Sequence, residues 1–402
     1  MSDKFKAVKI TDLIYWVGAV DWNIRDFHGY MTQEGSTYNA YLILADKITL
    51  IDTVKRPFMD EMLSRIASLT DPSNVKYIIS NHSEPDHSGC LYETINALKP
   101  EKTFASTIGT QTLSQEYHCG NEIIAVKDGE SISLGNLNLT FLETKMLHWP
   151  DSMVTYVADD KLLFSQDAFG MHLATSERFA DEIDWSIIEH EGEKYFANIL
   201  MPMSSLILRT LGKISDLGIK IDIIAPDHGP IWRKDPNKIV DLYVKWSTQK
   251  PTKKAVVIFD TMWCSTEKMA KAIGEGLTDS GVSTKIMSLK SNHRSDVVTE
   301  ILDAGALLIG SPTINSNMFP SIADLLYYLK GLRPQNKIGG VFGSYGWSGE
   351  AVAHIKEILT GMKVELISDG LRVKYVPDDE TLAQCFDYGK LVAEELRKRI
   401  ED

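Results

Sequence analysis

Within seven residues the segment Asn81-His82-Ser83-Glu84-Pro85-Asp86-His87 carries two imidazoles and two carboxylates. All four are metal-ligand types, and they follow Tyr77-Ile-Ile-Ser80, an apolar run that reads as a buried strand. An extended segment sends alternate side chains to one side, so His82, Glu84 and Asp86 are expected to converge. Pro85 stiffens the loop and lowers the ordering cost of holding charged groups together. Three more pieces recur at strand ends: Leu147-His148-Trp149-Pro150-Asp151, Phe164-Ser165-Gln166-Asp167 and Ala225-Pro226-Asp227-His228-Gly229. Together these pieces could supply four imidazoles and three carboxylates, enough for two metals. A packed or hydrogen-bonded role explains any one histidine alone; it is the set that points to metal.

A second constellation lies where the strand Ala255-Val-Val-Ile-Phe259 runs into Asp260-Thr261-Met262-Trp263-Cys264-Ser265-Thr266-Glu267. Hydroxyls at a strand-to-helix junction, beside free backbone N–H groups and the positive end of the helix dipole, suit a phosphate dianion. The segment is neither a P-loop nor a Gly-x-Gly-x-x-Gly dinucleotide loop, so a monophosphate such as FMN fits better than NAD or ATP. A helix cap is the plainer alternative. Two further strand-end loops favour the flavin: Ser311-Pro312-Thr313-Ile-Asn315, and Gly343-Ser344-Tyr345-Gly346-Trp347-Ser348. Ligands of open α/β sheets bind outside the carboxyl ends of the strands, and Tyr345 and Trp347 offer stacking surface.

These loops need two different frames. The first 250 residues mix short strands with helices: Tyr38–Leu44 and Ile48–Asp52 read as paired strands, Phe58–Ser68 as a helix. Leu137–Leu142, Met153–Ala158, Leu162–Ser165 and Ile221–Ala225 add further strands, a pattern of packed sheets with helices outside. The polar stretch Gln249–Lys254, with a proline, marks a boundary, giving domains at 1–250 and 251–402. Beyond it strands and helices alternate: strands at Ala255–Phe259, Ser283–Met287, Ala306–Gly310 and Ile338–Phe342, helices over Thr266–Asp279, from Ser295, Ser321 and Glu350, and over Glu380–Ile400. That is the grammar, and about 150 residues the size, of a flavodoxin-like doubly wound parallel sheet.

Composition narrows the partners. The 402 residues carry a formal charge of −13, which argues against nucleic acid or an anionic membrane as the main partner. No apolar run has the length of a membrane span, and the N-terminus reads as mature protein. Cys90, Cys119, Cys264 and Cys385 are scattered, without a Cys-x-x-Cys pair, and a reducing, cytoplasmic setting is expected.

The His-x-Glu-x-Asp-His segment with its later single His, Asp and His resembles the flavodiiron proteins. Leu147-His-Trp-Pro-Asp-Ser-Met153 and Trp347-Ser-Gly-Glu350 carry the same resemblance, which spans essentially the whole chain. It implies an N-terminal metallo-β-lactamase-like αββα sandwich followed by the flavodoxin-like domain, an α/β and α+β two-domain architecture. It also implies one iron on His82, Glu84 and His148, a second on Asp86, His87 and His228, and Asp167 bridging. Some members leave the position of His87 uncoordinated. FMN would contact Thr261, Met262, Trp263, Cys264, Ser265, Thr266, Pro312, Thr313, Asn315, Ser344, Tyr345, Gly346 and Trp347.

The implied activity is reduction of O2 to water or of NO to N2O. Reduced FMN and two ferrous ions together hold the four electrons that one O2 needs. Tyr195 matches a tyrosine near the irons, with helix packing as its plain alternative, and Trp347 would serve the flavin and a partner subunit's iron pocket. A head-to-tail homodimer, or a dimer of such dimers, and an external donor, rubredoxin or a reduced deazaflavin, belong to the same expectation. Zinc hydrolases of this fold are expected to carry His-x-His-x-Asp-His; Glu84 in place of the second imidazole favours the harder iron. The alternatives are a zinc hydrolase with an attached flavodoxin module and an electron carrier with an inert N-terminal half. His28 reads as a satisfied loop histidine, with pocket lining as its other reading. His118, His172, His190, His293 and His354 read as surface or packing residues.

Overall fold

The computed structural model describes residues 5–117 and 123–401, so His118 and Cys119 lie outside the described residues. The chain forms two compact units: Met1–Tyr195 with Ser205–Val244, and Phe196–Ser204 with Lys245–Asp402.

The first unit is built on two sheets. One has seven strands in the order Val8–Lys9, Ile14–Trp16, Tyr41–Ile43, Thr49–Ile51, Tyr77–Ser80, Lys102–Ser106 and Ile123–Val126. The other has five: Ser131–Ser133, Asn138–Glu143, Met153–Val157, Leu162–Gln166 and Ile223–Pro226. Alternation along the strands explains why they stack. Tyr41, Ile43, Ile51 and Ile79 face inward and pack with Leu139, Phe141, Val157 and Phe164 of the second sheet. Their neighbours Leu42, Leu50 and Ile78 face outward and pack with Met62, Leu63 and Ile66 of the helix Met59–Ala67 and with Leu91 and Ile95 of the helix Leu91–Leu98. Each such side chain taken from water contributes roughly 1.5–3 kcal/mol, which fixes register as firmly as it fixes the fold.

The expected strand Tyr38–Leu44 is two strands. Ser36–Tyr38 pairs with Ala19–Asp21, while Tyr41–Ile43 pairs with Thr49–Ile51 in the large sheet. Asn39 causes the break: its side-chain amide donates to Pro226 O and Gly229 O (2.7 and 3.0 Å), and its Oδ1 accepts from Trp16 Nε1 (2.8 Å). A polar residue inside an apolar run thereby ties the first sheet to the loop after Ile223–Pro226.

The second unit is one parallel sheet, ordered Ser283–Ser288, Thr252–Phe259, Ala304–Gly310, Ile338–Tyr345. A fifth position, which the sequence reading leaves unplaced, is shared by Glu365–Leu366 and Leu371–Lys374, both parallel to Ile338–Tyr345. It hides because it is an edge built from two short, half-exposed pieces around Gly370, with Arg372 and Lys374 interrupting the apolar pattern. Helices Ser265–Asp279, Arg294–Leu302, Pro320–Leu332, Ala351–Gly361 and Asp379–Glu401 complete the doubly wound fold within a residue or two of expectation.

Candidate functional site

The strand Tyr77–Ser80 delivers its chain into the site under tight control. The backbone N–H and side-chain amide of Asn81 both donate to the buried Asp52 carboxylate (2.6 and 2.7 Å), and Asn81 Oδ1 accepts from Thr155 Oγ1 (2.7 Å). His82 and Glu84 leave this anchor in extended chain. Pro85 then opens a helical turn, Pro85–Ser88, in whose first turn its missing N–H is harmless. The expected convergence of His82, Glu84 and Asp86 is therefore corrected. The turn swings Asp86 and His87 away from His82 and Glu84 toward a second cluster.

Two groups result, each with its candidate ligand atoms within 4.8 Å of one another: His82, Glu84, His148 and Asp167, and Asp86, His87 and His228. In the first, Glu84 Oε2 lies 3.2 Å from His82 Nε2 and 3.1 Å from His148 Nε2. In the second, Asp86 Oδ2 lies 3.0 Å from His228 Nε2 and 3.2 Å from His87 Nε2. Asp167 faces both. Its Oδ2 is 2.8 Å from His148 Nε2 and 3.4 Å from His82 Nε2, while its Oδ1 is 3.0 Å from His87 Nε2 and 3.5 Å from His228 Nε2. All seven expected residues meet, and all four imidazoles present the same nitrogen inward.

Apart from His82 Nε2–Glu84 Oε2 and His148 Nε2–Asp167 Oδ2, which have hydrogen-bond geometry, these approaches are short but badly aligned. Among the described residues, both oxygens of Asp86, Oδ1 of Asp167 and both nitrogens of His87 are buried without a hydrogen-bond partner. Orphaned buried groups of this kind are expensive, and a metal cation between them is the natural remedy. Charge tells the same story. Burial pushes the Asp86 and Asp167 carboxyls up, yet the His87 imidazole, with His228 for Asp86 and His148 for Asp167, holds both well below the usual range. Burial pushes His148 down, but Asp167 and Glu84 outweigh it and raise it to about 9. Protons thus gather where a cation is wanted, and the residues fit a pair of metal ions.

The second unit has its own assembly. The three loops named from sequence converge through Thr266 Oγ1 and Ser344 Oγ, 2.9 Å apart, and through Thr313 N–H donating to Ser344 O (2.9 Å). Asp260 braces the first loop by accepting from Thr261 N–H (2.6 Å) and Ser321 Oγ (2.5 Å). Cys264 sits before the helix Ser265–Asp279 at φ 64°, a left-handed conformation that glycine adopts most easily, and makes no side-chain cap. The helix N-terminus thus keeps its donors for a ligand, with Thr261, Ser265 and Thr266 buried around it. Trp263 and Trp347 are each 87% exposed, flat apolar surfaces suited to covering an isoalloxazine ring. Hydroxyls, a free helix N-terminus and aromatic faces fit FMN.

A family model described as "ODP family beta lactamase" matches residues 37–229, and the flavodoxin model matches residues 257–389. A nitric oxide reductase of Moorella thermoacetica is 47% identical over 390 residues, covering 96% of this chain and 98% of that protein. The structure of rubredoxin oxygen:oxidoreductase from Desulfovibrio gigas superposes with a TM-score of 0.97 at 44% identity, over 99% of this chain and 100% of that one. The flavodiiron protein from Giardia intestinalis superposes at 0.96 with 35% identity, over 100% and 99%. The chain belongs to the flavodiiron family. Its cofactors are FMN and a di-iron centre, and the metallo-β-lactamase-like and flavodoxin-like folds read from sequence are those the structure has.

For a flavodiiron protein, several residues lie where sequence alone does not put them. His28, on the turn of the hairpin Phe27–Tyr30, is a pocket residue and not merely a satisfied loop histidine. Its Nε2 is 3.1 Å from Glu84 Oε1, and it lines a cavity of about 580 Å³ with Phe27, Arg56, Glu84, Asp86 and Tyr117. His172 is a packing residue as expected, but it packs against the flavodiiron site itself. It is fully buried, its ring 4.6 Å from that of His228, with Nδ1 2.8 Å from Ser36 Oγ. His190 and His354 are local surface groups, as expected, while His293 caps the helix Arg294–Leu302. Tyr195 ends the helix Trp185–Tyr195, buried, its ring 5.2 Å from His172 and 6.3 Å from His228. Asp151 and Asp227, buried behind His82 and His87 at 3.6 Å from each Nδ1, were not singled out. Their only sequence signal is adjacency to the 148 and 228 histidine motifs.

Proposed function

We propose that this chain is a flavodiiron oxidoreductase that reduces O2 to water and NO to N2O, over a metal domain at 1–250 and a flavin domain at 251–402. One iron is assigned to His82, Glu84 and His148, the other to Asp86, His87 and His228, with Asp167 between them. The observation that carries the assignment is the orientation of Asp167, one oxygen toward each cluster. The irons, when bound, polarise the small molecule and share with FMN the electrons it takes up.

The chain's own residues do the rest. Glu84, Asp86 and Asp167, all buried, offset the charge of two cations. Burial, with Asp167 nearby, keeps the Tyr195 phenol well above its ordinary value, so it stays a hydrogen-bond donor to an anionic oxygen in the pocket. FMN is assigned to the three loops around Thr261–Thr266, Pro312–Asn315 and Ser344–Trp347. Electrons come from an external donor, rubredoxin or a reduced deazaflavin. The exposure of Trp263 and Trp347 supports a head-to-tail homodimer that covers them. The free thiols of Cys90, Cys264 and Cys385 go with a reducing cytoplasm, and among the described residues no helix is long and apolar enough to cross a membrane.

The test is anaerobic reduction of the purified protein, followed by separate O2 and NO pulses with product analysis. Water and N2O are expected. Hydrogen peroxide as the main O2 product, or zinc in place of iron with hydrolytic turnover, would overturn the reading.

A further inference from the structure

We propose that Asp227 is the positioning residue that makes His87 a metal ligand, its carboxylate accepting the Nδ1 proton so that Nε2 points at the second iron; this rests on the di-iron reading above. A ligating imidazole must carry its proton on the outer nitrogen, and a carboxylate or carbonyl that accepts this proton fixes both tautomer and ring orientation. His228 meets the requirement through the main chain, its Nδ1 lying 2.6 Å from Thr37 O. His87 has no such carbonyl. Its Nδ1 faces Asp227 Oδ2 at 3.6 Å, and among the described residues neither His87 nitrogen nor either Asp227 oxygen has a hydrogen-bond partner.

Four orphaned polar atoms in one buried contact are hard to explain as packing. The inner nitrogen points at Asp167 Oδ1 (3.0 Å) and Asp86 Oδ2 (3.2 Å), the position a cation would take. The outer one then needs a closure of about 0.7 Å to reach hydrogen-bond length. Asp227 is held for this role by its backbone, with N–H donating to Gln166 O (2.8 Å) and C=O accepting from Asn39 N–H (2.8 Å). Just past the end of the strand Ile223–Pro226, Asp227 meets His87 Nδ1 while His228 Nε2 meets Asp86, so adjacent residues serve one centre from outside and inside. Loss of Asp227 therefore frees the His87 ring.

The test uses full-length protein loaded with FMN and iron, comparing Asp227→Asn, His87→Asn and the double variant. Wild type holding two irons per chain is the control on the underlying reading; fewer in well-loaded wild type overturns that reading and this inference with it. Asp227→Asn is expected to release one iron to a chelator roughly 10- to 100-fold more readily. It should also change one of two Mössbauer sites and keep its FMN. In the His87→Asn background the same change should add nothing to iron loss, because it acts through that imidazole. Wild-type iron retention in Asp227→Asn overturns the proposal, as does a further tenfold loss in the double variant. Should Asp227→Asn fail to fold, histidine NMR of unaltered, zinc-loaded protein decides. A strongly downfield His87 Nδ1–H supports the proposal, and a His87 protonated on Nε2 overturns it.

Discussion

The two cofactor ends of this chain are built by opposite means. The metal end is made of side chains: buried carboxylates and imidazoles, anchored by further buried polar groups such as Asp52, Asn81, Asp151 and Asp227. The flavin end is made of loops: small hydroxyls, a helix N-terminus and two tryptophans open to solvent. Charge divides the same way. Lys plus Arg against Asp plus Glu stands at 24 to 35 over residues 1–250, a formal −11, and at 18 to 20 over 251–402, a formal −2. A site that must hold two highly charged cations is paid for in buried anions, whereas a monophosphate needs only oriented dipoles. Substitutions of the bridging and ligating side chains at the first end should therefore act all-or-none, and those at the second by degrees.

The contrast can be broken most directly at Asp167. Asp167→Asn removes the anion between the two clusters, and we expect loss of iron and of turnover to background, read by metal analysis and O2 consumption, with FMN retained. A variant that keeps both irons and turns over would show that no bridge is needed. Next is Glu84→His, which recreates the His-x-His-x-Asp-His pattern expected of the zinc hydrolases. After growth with both metals, its metal content should move from iron toward zinc, and O2 reduction should fall with it. At the flavin end, Thr266→Val keeps the shape but deletes a buried hydroxyl. Loss of one charge-assisted hydrogen bond, about 1.5–3 kcal/mol, should weaken FMN binding roughly 10- to 100-fold and leave iron content unchanged.

A stability effect sharpens the comparison inside the second unit. Lys337 is buried, its Nζ donating to Leu302 O (2.9 Å) and Ala304 O (2.6 Å), and burial pushes it down to about 7. The folded value lies below the unfolded one near 10.5, so the folded chain bears the full penalty below pH 7. It escapes the penalty as pH rises toward 10.5. Lys337→Met should stabilise this unit by on the order of 3 kcal/mol at pH 6, net of the two carbonyls left without a donor, and the gain should shrink by pH 10. Thermal unfolding at the two pH values checks it. The smallest effect is expected at Tyr195→Phe, a few-fold fall in turnover with iron and FMN unchanged, measured by steady-state O2 and NO consumption.

The two ends also differ in how legible they were. Side chains announce themselves: the four segments stand out because His, Glu and Asp at strand ends have few other uses in such density, and the resemblance to the flavodiiron proteins picks the seven from neighbours such as Asp151 and Asp227. What stayed hidden was conformation. Pro85 reads equally well as a loop stiffener or as the first residue of a helical turn, and only the turn separates Asp86 and His87 from His82 and Glu84. The break at Asn39 was invisible for a related reason, since its partners Pro226 and Gly229 are nearly 190 residues away. His28 carries no local pattern and Asp227 only its place beside His228; their roles arise from what lies across a cavity or behind a ring. The flavin loops were legible as loops, because strand-then-helix punctuation places them. Their mutual hydrogen bonds, Thr266 to Ser344 and Thr313 to Ser344, needed the sheet order to bring them together.

Because its groups hang from both layers of the N-terminal sandwich, the metal pocket has no existence in a half-folded chain. His82 leaves one sheet, while Asp167 and His228 leave the other. Iron therefore arrives late, into a finished scaffold and by way of the opening beside His28, instead of nucleating the fold as structural zinc does in small domains. The ligand set, Glu84 above all, still selects iron, and newly made protein in an iron-starved cell should accumulate folded, flavin-bearing and idle.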